Sequence, residues 1–194
     1  MQTRIPLALV GAVIAGVAMS WGQTYAPDVL APLFNSAAPV VALSAAVAWA
    51  GRGAVSTIAL GAAAGPLAML GYYVTAQVRG YGMSAGLVFW SMAGIVIGSL
   101  VGIAIVLMRR RLHPLATAAA VAWMPGLALG EATHGLTRIA DTTPVAYWWA
   151  QALLAAGVLV WLAITRLTTL ASRAAAVFAT AGVAAVTWAV YGIA

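Results

Sequence analysis

The residues with the clearest chemical potential lie between Pro125 and His134, in a run that reads PGLALGEATH. Glu131 is the only acid inside a long apolar segment, and His134 follows it by about one helical turn, on the same face. Arg138 lies one further turn along. An ionisable side chain within an apolar span is energetically unfavourable, so it normally faces the interior of a helix bundle and has a partner there. The run therefore predicts a polar centre inside a bundle.

Three interpretations of this polar centre fit the residue types. In the first, Glu131 is protonated or paired with Arg138 and holds helices together. In the second, Glu131 belongs to a ligand-binding or proton-linked site. In the third, Glu131 and His134 form an acid–base pair acting on a lipid-like substrate. A metal site is disfavoured, because a lone Glu-x-x-His motif supplies two ligands where metal sites use three or four. We therefore predict no metal and no cofactor, and we favour a binding protein over an enzyme.

The composition places this centre in a membrane. Of the 194 residues, 64% are hydrophobic and 6% are charged, whereas a soluble domain has about 25% charged residues. Repeated apolar segments of about 20 residues are typical of membrane spans. We therefore predict an all-α, polytopic transmembrane helical bundle that forms a single domain over residues 1–194. Such a bundle leaves no room for a soluble catalytic domain.

Residue types that are missing from the chain exclude several chemistries. The sequence has no cysteine, which excludes disulfides and thiol nucleophiles, and no lysine, which excludes a Walker-type phosphate loop. All the basic residues are arginines, and alanine and glycine abound, as in proteins from GC-rich bacterial genomes. The net charge of +6 comes from loop arginines between apolar runs, so we predict no nucleic-acid partner. The predicted location is the bacterial cytoplasmic (inner) membrane, with the lipid bilayer as the main partner.

Hydropathy predicts seven spans. The second is short enough to be tilted, re-entrant or partly buried, so six spans are the alternative. The seven predicted spans are Ile5–Trp21, Ser36–Ala50, Ala54–Ala76, Ser84–Met108, Leu115–Leu136, Pro144–Thr165 and Ser172–Gly192.

The arginines are distributed unevenly between the two sets of loops. With the N-terminus in the cytoplasm, only Arg79 and Arg138 fall outside, and all other arginines fall inside. Dropping the second span would put Arg4 and Arg52 on opposite sides and weaken this bias. The positive-inside rule therefore favours seven spans and a cytoplasmic N-terminus.

Polar and aromatic side chains are concentrated in the half of the bundle that this topology places outside. All three acids, all six tyrosines and most tryptophans lie there. Aromatic walls with a few convergent polar groups are typical of small-molecule pockets. We therefore expect an outward-facing pocket near Glu131, with residues 22–38 as a lid or an interfacial tether. The predicted ligand-binding residues are Gln23, Asn35, Glu131, His134, Trp148, Trp149 and Gln151.

These residues have distinct expected roles in such a pocket. Glu131 would accept a hydrogen bond from the ligand or pair with its cationic group. His134 and Gln151 would orient the ligand, and Trp148 and Trp149 would stack on it.

Small residues spaced four apart on several spans predict close helix contacts. Gly94, Gly98 and Gly102 form the longest such face, and Ala8 and Ala12 begin another on the first span. Packing inside the bundle is the ordinary interpretation. The sharper alternative is that one of these faces docks a partner membrane protein or a second copy of the chain.

Three short motifs resemble a family of small bacterial membrane proteins that is catalogued only as a domain of unknown function. The motifs are Trp21–Gln23, Leu33–Pro39 and Gly71–Tyr73. This resemblance implies a class of membrane protein and brings no activity with it.

The predicted architecture also resembles the substrate-binding subunits of energy-coupling-factor vitamin transporters. These are small helical bundles that bind a vitamin or metal near the outer face and dock through an Ala-x-x-x-Ala face, which Ala8 and Ala12 match. The resemblance implies a binding subunit. The departure is that those subunits usually have six spans with both ends inside, whereas this sequence predicts seven.

The sequence as a whole favours a membrane protein that binds or takes up a small solute, aromatic or cationic, without an energy source of its own. One alternative is a non-catalytic accessory or assembly subunit of a larger membrane complex. The other is a membrane enzyme that uses Glu131 and His134 as its acid–base pair.

Overall fold

The computed structural model describes residues 3–82 and 86–193, and every regular element in these ranges is helical. This confirms the predicted all-α class. The predicted fourth span begins at Ser84, which lies outside the described residues. The elements are α1 (Arg4–Tyr25), a 3₁₀ segment (Asp28–Phe34), α2 (Ala37–Trp49), α3 (Ala54–Val78), α4 (Gly86–Arg110), α5 (Pro114–Arg138), α6 (Val145–Arg166) and α7 (Leu170–Tyr191).

Within the described ranges, six helices are long and apolar enough to cross a membrane, so the chain is an integral, multi-pass membrane protein. The short helix α2 is the exception. Its 13 residues cover ~20 Å at ~1.5 Å per residue, less than the ~30 Å hydrocarbon core. Together with the 3₁₀ segment it forms a pair bent by 52°, which makes a seventh span if the pair is counted as one. The predicted second span, Ser36–Ala50, is thus a short helix that follows a break.

The chain divides into two compact units. Unit 1 consists of Met1–Pro27 and Pro39–Val106, and unit 2 consists of Asp28–Ala38 and Leu107–Ala194. Unit 1 therefore contains α1, α3 and most of α2 and α4. Unit 2 contains the 3₁₀ segment, α5, α6 and α7.

In unit 1, α1 and α3 run parallel. Near their starts, Ala12 belongs to the same buried cluster as Leu60. Further along, Gly16 lies against the backbone of Ala68, and Ser20 accepts a hydrogen bond from Arg79. Contact positions thus increase together along both helices, as they do only in a parallel pair.

The parallel pair determines how the chain must run between its two members. Because α1 and α3 point the same way, residues 26–53 have to carry the chain back to the side where it started. Val47, near the end of α2, packs in the same cluster as Ala12, so α2 reaches that side before α3 begins. If this segment did not cross the membrane, as in a six-span topology, α1 and α3 would be antiparallel. The fold therefore fits seven passes better than six.

The glycine face of α4 is used inside unit 1. Gly98 lies against the backbone of Gly61, Gly94 against Gly65, and Gly102 against Ile58, each too close for a side chain to fit. Helix α3 lies against this face, which is consistent with the ordinary packing interpretation, and the partner-docking alternative for Gly94, Gly98 and Gly102 stays a prediction. The same holds for the Ala8–Ala12 face: Ala12 is fully buried in the core cluster, and Ala8 packs against that cluster.

In unit 2, α5 packs against both α6 and α7. Gly126 lies against Val183, and Gly130 lies against Thr187, so α5 and α7 are parallel. Gly135 lies against the ring of Trp148 at the start of α6, so that α5 and α6 are antiparallel. These close approaches bring the polar end of α5 within hydrogen-bond distance of α6 and α7.

Candidate functional site in unit 2

Glu131 is the centre of a buried hydrogen-bond network in unit 2. Its side chain is 3% exposed. One carboxylate oxygen accepts from the Ala37 backbone N–H at 2.6 Å and from the Tyr191 hydroxyl at 2.8 Å. The other accepts from the Ala38 N–H at 2.9 Å and from the Gln151 amide at 3.1 Å. We call these five residues the carboxylate network.

The network explains how α2 can begin in an apolar environment. The first N–H groups of a helix have no partner within the helix, and leaving them unpaired in a membrane costs several kcal/mol each. Glu131 satisfies the N–H groups of Ala37 and Ala38, which are the first two residues of α2. A carboxylate at this position is also attracted to the partial positive charge of the helix N-terminus. Glu131 therefore stabilises the break between the 3₁₀ segment and α2.

The acceptor capacity of Glu131 is filled from within the protein. An ionised carboxylate accepts about four hydrogen bonds in total, and Glu131 receives four. A ligand could bind Glu131 only by displacing one of these donors. The first of the three sequence interpretations, a packing role, is the one this geometry favours, with backbone N–H groups as partners in place of Arg138.

Gln151 and His134 each keep one buried polar atom that has no hydrogen-bond partner in the described residues. The Gln151 amide donates to Glu131 and, at 3.0 Å, to the Ala128 carbonyl. A flipped amide would turn its oxygen toward these two acceptors, so the orientation is fixed and Oε1 is left unpaired. The His134 ring packs on Tyr191 with centroids 5.2 Å apart, and its Nδ1 is unpaired.

A cleft of about 440 Å³ opens in the same unit, and we call it the aspartate cleft. One wall is the 3₁₀ segment and the residue after it, and the other is the loop between α5 and α6. Both walls carry an acid, and no basic residue is among the residues described as lining the cleft. The lining residues are Asp28, Ala31, Pro32, Asn35, Asp141, Thr142, Thr143 and Pro144.

The aspartate cleft and the carboxylate network are connected through adjacent residues. Ser36 follows the cleft residue Asn35 and hydrogen-bonds the Tyr147 hydroxyl at 2.7 Å. On the opposite wall, the Trp148 indole donates to Thr143 at 2.7 Å. Trp148 is 4% exposed and meets Tyr147 edge-on at 4.9 Å. The carboxylate network thus holds the backbone at Ala37 and Ala38, two and three residues after the cleft residue Asn35.

Six of the seven predicted ligand-binding residues lie in unit 2. Asn35 lines the cleft, and Glu131 and Gln151 belong to the network. Trp148 hydrogen-bonds Thr143 in the wall of the cleft.

The remaining predicted site residues are placed differently. Trp149, one residue further along α6 and thus about 100° around the helix from Trp148, is 57% exposed. Gln23 belongs to unit 1, where it accepts a hydrogen bond from Tyr72 at 2.7 Å. Arg138 does not pair with Glu131: its guanidinium lies 5.0 Å over the ring of Trp188.

Sequence reasoning did not single out several members of these sites. Tyr191 and Tyr147 were counted only among the six outer tyrosines, although Tyr147 lies one turn before Gln151 on the same face of α6. Asp28 and Asp141 were counted only as outer acids. The backbone N–H groups of Ala37 and Ala38 leave no signal in a sequence, because every residue except proline carries one.

A family model that describes a family of unknown function, DUF6518, matches residues 1–194. The chain belongs to DUF6518. This confirms the predicted resemblance to a family of unknown function, while nothing found supports the resemblance to energy-coupling-factor subunits. No curated protein and no solved structure matches the chain significantly. For this DUF6518 member, chemical function has to be argued from the aspartate cleft and the carboxylate network.

Proposed function

We propose that this protein binds a small cationic solute in the aspartate cleft, on the outer side of the bacterial cytoplasmic membrane. In this proposal it serves binding or uptake without an energy source of its own. The observation that carries the proposal is the pairing of Asp28 and Asp141 across a cleft with no basic lining residue. Two carboxylates facing one cavity attract a cation, and low-dielectric walls strengthen that attraction.

The size and lining of the cleft are consistent with a small molecule. Ligand pockets have volumes of about 300–1,000 Å³, and this cleft is near the lower end of that range. Asn35, Thr142 and Thr143 add neutral hydrogen-bonding groups next to the two acids. A primary ammonium or a small quaternary ammonium group matches this combination of charge and polarity.

Glu131 has an indirect role in this proposal. It holds the backbone at Ala37 and Ala38, and so fixes the position of Asn35 and the 3₁₀ segment above it. The sequence-based expectation that Glu131 itself contacts the solute is replaced by contact at Asp28 and Asp141. Glu131 is a positioning residue.

The proposal is tested in two steps. Native mass spectrometry on protein extracted gently from its own membrane identifies any retained solute. Calorimetric titration with organic cations of increasing size, from ammonium to choline, then measures affinity for Asp28→Asn and for the charge-preserving Asp28→Glu. We expect Asp28→Asn to weaken binding about fivefold, the scale of one partly screened ion pair, and Asp28→Glu to retain most of it. Equal affinity of wild type and Asp28→Asn for every cation tested contradicts the proposal.

A second candidate is a non-catalytic accessory subunit of a larger membrane complex. The complete internal pairing of Glu131 favours it, because that pairing makes the polar centre a structural element. Here the same mass spectrum should show a stoichiometric protein partner and no retained solute. The acid–base enzyme gains no support, since Glu131 has no free acceptor position to serve as a base.

A further inference from the structure

Three arginines lie near the end of unit 2 where α6 ends and α7 begins. Arg111 donates to the Thr165 carbonyl at 3.0 Å, and Arg173 donates to the Leu167 carbonyl at 3.3 Å. Arg166 lies between these two carbonyls in the chain, and its Nε is buried without a hydrogen-bond partner in the described residues. We call Arg111, Arg166 and Arg173 the arginine cluster.

No acid of the chain can neutralise this cluster. The sequence has three acids, Asp28, Glu131 and Asp141. Glu131 lies ~26 Å along α5 from Pro114, the residue at which α5 begins on the side of the cluster. Asp141 lies beyond the far end of α5, and Asp28 lines the same cleft as Asp141. The cluster is therefore three like charges with no counter-charge nearby.

The geometry around the cluster suits a phosphate group. Guanidinium groups present several N–H donors in a planar fork that matches phosphate oxygens, and each of these arginines uses few of its donors on the protein. The N-terminus of α7, at Leu170, adds the partial positive charge of a 22-residue helix on the same side. An anion here would relieve the repulsion among the three arginines and pair with the buried Nε of Arg166.

Exposed apolar side chains stand next to the arginines in the chain. Leu112 and Leu170 are 79% and 82% exposed, and Ile164 is 62% exposed. Such side chains contact acyl chains in a bilayer, and basic pockets between transmembrane helices are sites for anionic headgroups. A free phosphate ion would make no use of them.

We propose that the arginine cluster binds the phosphate group of an anionic phospholipid, with the acyl chains along Leu112 and Leu170. The positive-inside topology places this lipid in the cytoplasmic leaflet. The site is separate from the aspartate cleft, so either proposal can fail without the other.

The test is native mass spectrometry of the purified protein with added phosphatidylglycerol or phosphatidylcholine. The variants are Arg166→Gln and Arg173→Gln, and the matched control is Arg52→Gln, an exposed arginine on the same predicted side but in unit 1. We expect wild type to retain phosphatidylglycerol over phosphatidylcholine. Each cluster variant should weaken phosphatidylglycerol binding about fivefold, while Arg52→Gln leaves it unchanged.

Three results overturn the proposal. The first is equal retention of phosphatidylglycerol and phosphatidylcholine. The second is an equal loss of phosphatidylglycerol binding in Arg52→Gln and in the cluster variants. The third is that inorganic phosphate displaces the bound lipid and that the protein then no longer prefers phosphatidylglycerol over phosphatidylcholine. The last result identifies the cluster as a site for a soluble phosphate. Should Arg166→Gln fail to fold, the exposed Arg173→Gln decides the question by the same comparison.

Discussion

Replacing Glu131 with Gln is expected to affect stability more than solute binding. The amide keeps the shape of the side chain but puts an NH₂ group where the carboxylate had an acceptor. In the better orientation the new NH₂ faces Tyr191, whose hydroxyl can turn to accept, and the Ala37 N–H, which cannot. One buried backbone N–H is then left unpaired, and the remaining bonds lose their charge assistance.

The magnitude follows from these losses. An unpaired buried donor costs ~1–3 kcal/mol, and a hydrogen bond to a charged group contributes ~1.5–3 kcal/mol where a neutral one contributes ~1 kcal/mol. We therefore expect Glu131→Gln to lower the free energy of unfolding by ~3–5 kcal/mol. Glu131→Ala should lower it further, because the N–H groups of both Ala37 and Ala38 lose their partner.

The assay is unfolding in detergent micelles, followed by tryptophan fluorescence. The control is Thr133→Ala, an exposed position on the same helix, for which we expect a change of at most ~0.5 kcal/mol. A loss below ~1 kcal/mol in Glu131→Gln would refute the view that this carboxylate fixes the start of α2. So would a variant that loses solute affinity while keeping its stability, since that outcome returns Glu131 to the ligand.

Two further predictions test the packing and the direction of the helices. Gly98→Val should strongly lower the melting temperature in a thermal unfolding experiment, because the new side chain overlaps the Gly61 backbone. The control Gly182→Ala should be tolerated, because a Cβ at that position meets nothing within 4 Å. Equal melting temperatures of the two variants would contradict the α3–α4 contact. Because the chain has no cysteine, single cysteines can be labelled without background: Pro27→Cys and Gly82→Cys should react with a membrane-impermeant reagent from one side, and Gly53→Cys from the other. Labelling of the first two from opposite sides would exclude the parallel α1–α3 pair.

The sequence by itself determined the membrane environment, the helical class and the location of the polar centre. Long apolar runs with few charges can bury their backbone groups in lipid only as helices or closed barrels, and the glycine spacing on α4 favours helices in close contact. One acid in an apolar span also had to find a partner, and the sequence placed both Glu131 and Gln151 in the outer half of the bundle, where the two side chains form a hydrogen bond. These conclusions follow from local composition and spacing.

Only the tertiary structure decided what the polar centre does. Three of the four donors to Glu131 come from Ala37, Ala38 and Tyr191, all far from it in sequence. Two of these are backbone N–H groups, which every residue except proline carries. Likewise Trp148 and Trp149 look alike in the sequence, and their helix neighbours determine that the first is buried and the second exposed. Hydrogen-bond satisfaction in a membrane is a property of the assembled helices, so the donors that surround Glu131 became visible only when the helices were placed together.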